Sequence, residues 1–163
     1  MIGFFIGYFL FMQTKILSQD RSITLIDVSE LQKQVETDED ETLLTSQLSA
    51  AIDYAEGYTN RKFYPTKTLL GFDKYQSKVF LPFGEVTHVK ELTALNTDNQ
   101  REDITFVFDD ISETIEISGD YLNYKKFRCE YVCGYANKGD NQTDPVAPTL
   151  PDSLKQGLLM YVA

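Results

Sequence analysis

Cys129 and Cys133, spaced four apart in FRCEYVCGY, the single histidine His88, and two acid-rich stretches at residues 38–41 and 140–144 are where this sequence has side chains able to hold a metal, attack a carbonyl or move a proton. Thiols joined by histidines would make a nucleophile or a zinc site, alternating oxygen ligands a calcium loop, and two carboxylates across a cleft a glycoside hydrolase. Each set is short of parts. On a strand, residues i and i+4 share a face but lie roughly 13 Å apart, too far for a disulfide, so both thiols are expected to be free. Zinc needs further soft ligands. A catalytic triad needs an oriented histidine, and His88 falls in the strand-like Val86-Thr87-His88-Val89 with nothing to orient it. Residues 140–144 lack the mid-loop glycine and closing glutamate of a calcium loop, and residues 134–139 lack the glycine spacing of a phosphate loop. The expectation is therefore no catalytic, cofactor-binding or metal-binding residue and no cofactor.

Composition narrows the remaining classes. The chain has 163 residues, 42% hydrophobic and 13% aromatic, enough for one domain with its own core. Fifteen Lys and Arg against 25 Asp and Glu leave a net charge of -10, which argues against a face that grips phosphates and suits the wall of a conduit through which DNA passes without being held. The tyrosines and phenylalanines are scattered through strands and helix, where core packing accounts for them. Basic neighbours for a stacking platform occur only at Arg61-Lys62 and Lys125-Lys126-Phe127-Arg128. The acidity and β content alone would fit a small carboxylate-based hydrolase, and the apolar start MIGFFIGYFLFM a membrane-tethered or secreted binding module. The lack of tryptophan weakens a sugar site.

The elements that would position any site alternate in period. Asp27-Val28-Ser29-Glu30 has the pattern of a capping box and opens a short helix with Leu31 and Val35 on its apolar stripe. The acidic run Glu36-Thr37-Asp38-Glu39-Asp40-Glu41 then leads into a helix predicted over 41–59, where Leu44, Leu48, Ala51, Ile52, Ala55 and Tyr58 recur on one face. After Pro65 the period becomes two. Short strands are predicted over 68–72, 78–81, 86–95, 104–108, 114–117 and 127–133, separated by turn residues such as Pro82-Phe83-Gly84 and Ser118-Gly119-Asp120. Close sequential strands imply an antiparallel sheet or small barrel. A polar loop follows, and Pro151 starts a last helix with Leu154, Leu158, Tyr161 and Val162 on one side. The fold class is α+β: a short and a long helix, an inserted antiparallel sheet or small barrel, and a C-terminal helix.

This order resembles the phage head-tail connector family, the head-completion adaptors also found in prophages and gene transfer agents. The resemblance is carried by Ile23-Thr24-Leu25 with the helix through Leu31; by Asp38-Glu39-Asp40 with Leu43-Leu44; and by Ala50-Ala51 through Glu56-Gly57-Tyr58-Thr59-Asn60-Arg61, like "AA…VE.YTGR". It continues in Leu81-Pro82 with Val86, Val89 and Leu92, in Tyr131-Val132-Cys133-Gly134-Tyr135, like "Y.AGY", and in Pro151 with Leu154-Lys155-Gln156, Leu158-Leu159 and Val162-Ala163. Asn60, Cys133 and Gly157 depart from the family's Gly, Ala and Ala. Asn tolerates the left-handed geometry of Gly. Gly157 costs about 1 kcal/mol in a helix relative to Ala, so a close packing contact is expected there.

The resemblance implies a structural, non-enzymatic virion protein at the head-tail interface, assembled in the host cytoplasm. It would form a ring, typically a dodecamer, that docks beneath the portal protein, extends the channel for double-stranded DNA without binding it specifically, and seats the stopper or tail-completion protein. In this family the C-terminal helix contributes to portal docking, which makes Leu154, Lys155, Leu158 and Tyr161 the candidate portal-interaction residues. No membrane partner is implied: the apolar start has 12 residues where a span needs about 20, and it lacks a basic n-region. Met12-Gln13-Thr14-Lys15-Ile16-Leu17 resembles the usual start of family members. Residues 1–11 are thus expected to be a non-native extension from an upstream start, or an apolar tail, and 12–163 a single connector domain truncated at its C-terminus.

Overall fold

The computed structural model describes residues 12–35, 40–135 and 150–162. Their order is β1 (Met12–Gln19), α1 (Val28–Val35), α2 (Glu41–Thr59), β2 (Thr66–Lys74), β3 (Lys78–Phe80), β4 (Val86–Leu95), β5 (Arg101–Asp103), β6 (Phe106–Asp109), β7 (Thr114–Ile117), β8 (Lys125–Cys133) and α3 (Asp152–Val162). The α+β class and the helical placements agree with the sequence. The expectations for residues 1–11 and for the acidic stretch at 140–144 lie outside the described residues.

The strands form two antiparallel sheets, one of five strands in the order β1-β2-β8-β4-β5 and one of three in the order β3-β7-β6. Alternation in β2 and β8 makes one face of the large sheet apolar. Leu70, Phe72, Phe127, Cys129, Tyr131 and Leu92 point into a core that Val79, Ile115 and Ile117 of the small sheet close from the other side. Phe72 and Phe127 lie opposite each other in the β2–β8 ladder and stack with centroids 5.0 Å apart. Two strands were not foreseen. β1 is exposed along nearly its whole length, so MQTKILSQ shows no apolar alternation, and backbone pairing with β2 holds it. β5 is Arg-Glu-Asp, paired to the end of β4.

Cys129 and Cys133 are free and fully buried, as the strand spacing requires. Burial in apolar surroundings disfavours thiolate, pushing Cys129 up to about 12 and Cys133 up to about 11. The native protein is therefore expected to resist a thiol-specific disulfide reagent at pH 8 and to react at both sites in urea. Rapid titration of either thiol without denaturant would contradict this burial.

The helices make a second core in which Leu31, Leu44, Leu48, Ile52, Leu158 and Leu159 meet Phe63 and Tyr64 from the turn into β2. The Asp27 carboxylate accepts the Ser29 N–H at 2.8 Å and starts α1. The reciprocal half of the expected capping box is replaced, since the Glu30 carboxylate pairs with Lys155 of α3. Asp40 caps α2 by accepting the Thr42 N–H at 2.8 Å, and this bond is the first cause holding its carboxyl below the ordinary range. A lowered folded pKa stabilises above the unfolded value and is lost as pH falls through the folded one. Asp40→Asn, which keeps the cap but cannot titrate, is accordingly expected to lose less stability between pH 5 and pH 2 than the parent, as read by urea midpoints.

Candidate functional site

Glu56 organises the junction between sheet and helices. It sits at the inward position near the end of α2, 4% exposed, and its carboxylate collects four partners. The Phe63 and Tyr64 N–H groups donate to Oε1 at 2.7 and 3.4 Å, Lys62 Nζ lies 3.1 Å from Oε2, and Gln19 Nε2 donates to both oxygens at 3.0 and 3.2 Å. One side chain thus ties the end of β1, the end of α2 and the turn into β2. Arg21 adds a clasp on the surface, reaching Asp53 of α2 at 2.6 Å and lying over the Tyr64 ring at 5.5 Å. Asn60 ends α2 with φ 52°, the left-handed conformation its place in the motif calls for.

α3 packs on α2 through the helical core and pairs with α1 through Lys155 and Glu30, leaving a groove of about 190 Å3 between α2 and α3. Its floor is Ala51, Ala55 and Gly157; Leu154, Tyr54, Tyr58 and Tyr161 wall it. The three tyrosines form a ladder: Tyr54 stacks on Tyr58 at 6.3 Å and on Tyr161 at 5.4 Å, and the rings are 58%, 82% and 63% exposed. Large exposed rings around an apolar groove suit the insertion of another protein's side chains. Tyr58 keeps the helical face predicted for it but not burial, because the groove there is open.

The four candidate residues on α3 have different surroundings. Leu158 is buried in the helical core, Lys155 binds Glu30 of α1, Leu154 is half-buried on the groove wall, and Tyr161 is exposed. Sequence reasoning missed Tyr54 as a site residue and Leu159 as core; an i,i+4 tyrosine pair in the motif helix was the available signal for the first. The close contact expected at Gly157 is absent. A Cβ built there meets nothing within 4 Å, since the residue faces the open groove. Gly157→Ala is therefore expected to stabilise the chain by about 0.5–1 kcal/mol, measured by urea unfolding.

Of the carboxylates moved from their ordinary range, Asp20, Asp27, Asp40, Asp109 and Glu130 all move down, through hydrogen bonds to neighbouring donors or lysines on the surface. His88 lies in β4, half-buried, opposite Val132. Among the described residues no helix is long and apolar enough to cross a membrane.

A family model for phage gp6-like head-tail connector proteins matches residues 25–116. No curated protein matches the chain. Solved structures similar in fold include a chain from the neck of an empty gene transfer agent particle computed with C6 symmetry. It has a TM-score of 0.64 at 17% identity, covering 92% of this chain and 81% of that one. A chain from the virion of a native gene transfer agent gives 0.64 at 18%, covering 91% and 81%. One from a native neck computed with C12 symmetry gives 0.62 at 20%, covering 92% and 80%.

Proposed function

The chain belongs to the phage gp6-like head-tail connector family, and from that premise we propose that it assembles as a closed ring, of twelve copies, beneath the portal protein of a virion. The ring extends the channel for double-stranded DNA and gives the stopper or tail-completion protein its seat at the head-tail interface. The family match over residues 25–116 carries this reading. The likeness to chains from particle necks computed with C6 and C12 symmetry supports a ring.

On this reading the α2–α3 groove is the portal-docking surface. Tyr161 and Leu154 make the contact, and Leu158 and Lys155 hold α3 in position through the core and Glu30. Tyr161→Ala is expected to weaken binding to the portal about tenfold or more while leaving the urea midpoint near that of the parent. Biosensor measurement of the full chain on immobilised portal protein checks this, and unchanged affinity in Tyr161→Ala and Tyr54→Ala together would place the docking surface elsewhere. Gly157→Ala, which fills the groove floor, is expected to separate the two properties by gaining stability and losing portal affinity.

A further inference from the structure

We propose that the solvent face of the five-stranded sheet receives the acidic helical pair of a second copy of this chain, forming the contact that closes the ring; the inference rests on the ring reading above. A closed ring needs two different surfaces on each copy, because neighbours meet head to tail.

The first surface follows from register. Lys15 lies opposite Leu69, Leu69 opposite Glu130, Lys67 opposite Val132 and Gly71 opposite Arg128, so these residues share the face whose alternates, Leu70, Phe127, Cys129 and Tyr131, fill the core. Half-buried Leu69 and Val132 give this face an apolar centre, and lysines surround it. Lys67 and Lys90 converge on Glu130 at 2.9 Å each, while Lys15 and Arg128 have no ion-pair partner among the described residues. Gly71 leaves a concavity of about 220 Å3 rimmed by Gln13, Asp73, Lys126 and Arg128.

The second surface has the opposite charge. Among the described residues of 20–60, Asp20, Asp27, Asp40, Glu41 and Asp53 are exposed acids, against exposed Arg21 and Lys33. Beside α2 lies the larger concavity, about 710 Å3, walled by small side chains such as Thr42, Thr45, Ser46 and Ser49, with Glu41 and Asp53 on its lining. A lysine-bearing sheet face and an acidic, small-residue hollow on the same molecule are complementary in charge. Duplex DNA fits the sheet face less well. Glu91 lies opposite Glu130 there, and the two carboxylates interrupt the cations that a run of phosphates would need.

The test assembles the full chain, as an equal mixture of nitrogen-14 and nitrogen-15 protein, with its portal and joins touching amine–carboxylate pairs with a zero-length carbodiimide. Mass spectrometry is expected to find mixed-isotope links from Lys15, Lys67, Lys90 or Lys126 to Glu41 or Asp53, fewer as salt rises. Lys15→Glu and Glu41→Lys should each cut ring yield tenfold or more, and mixing the two variants should restore it. Rings whose links join other surfaces overturn this inference and leave the ring intact. Rings from Lys15→Glu that form normally but lose retention of duplex DNA overturn it in favour of a nucleic-acid face. Failure to form any ring on the portal overturns the ring reading, and this inference with it.

Discussion

Glu56→Ala is expected to lower the unfolding free energy by about 3 kcal/mol, a large fraction of the stability of a domain this size. The carboxylate is the shared acceptor for the Phe63 and Tyr64 N–H groups, the Gln19 amide and the Lys62 ammonium. Truncation strands two backbone donors in a core where water cannot replace the acceptor, each costing about 1–3 kcal/mol. Lys62, whose side chain is 17% exposed, can turn outward, which keeps the loss below that of a fully enclosed pair. Glu56→Gln keeps one acceptor oxygen and should cost about half as much. Urea unfolding followed by circular dichroism measures both. A loss under 1 kcal/mol for Glu56→Ala would mean that the junction does not depend on this carboxylate.

Gly134→Ala is expected to cost at least as much, about 4 kcal/mol, or to prevent accumulation of folded protein. Gly134 has φ 112°, outside the range that L side chains adopt, and it follows directly on β8. A Cβ there would lie 2.3 Å from the Tyr64 carbonyl oxygen and 2.8 Å from its carbon. These are backbone atoms, so no rotamer relieves the clash. The Gly134 N–H also donates to the Glu85 carbonyl at 3.1 Å, and the Tyr135 N–H to that of Phe63 at 3.1 Å. The substitution thus forces apart the point where β8, the turn before β2 and the turn before β4 cross. A variant as stable as the parent would show that this crossing can relax, contrary to the geometry. Gly134 and Gly157 make a useful contrast, because one glycine is required by backbone approach and the other fronts open space.

The legible parts of the fold were those with a period. The stripe Leu44, Leu48, Ala51, Ile52 gave α2 its bounds, and the alternation Phe127, Cys129, Tyr131, Cys133 gave β8 its buried face. β1 was illegible because an edge strand exposed on both faces carries no alternation; its ladder with β2 appears only in three dimensions. Glu56 was visible only as a letter in a motif. An acid at an apolar position of α2 was the signal that it must be buried with partners, but those partners lie 6, 7, 8 and 37 residues away. Tyr58 was assigned to an apolar helix face correctly and to the core wrongly, since helical periodicity reports direction and not what lies opposite. Connector identity was legible from ordered motifs, whereas the groove depends on the angle between two helices separated by more than 90 residues.

Electron cryo-microscopy of the full chain mixed with its portal protein shows whether a ring forms and where it sits. The expected result is a closed ring of copies seated coaxially on the portal, with the α2–α3 groove facing it and an open central channel as wide as duplex DNA. A portal that remains bare at saturating concentrations of the chain would contradict the account.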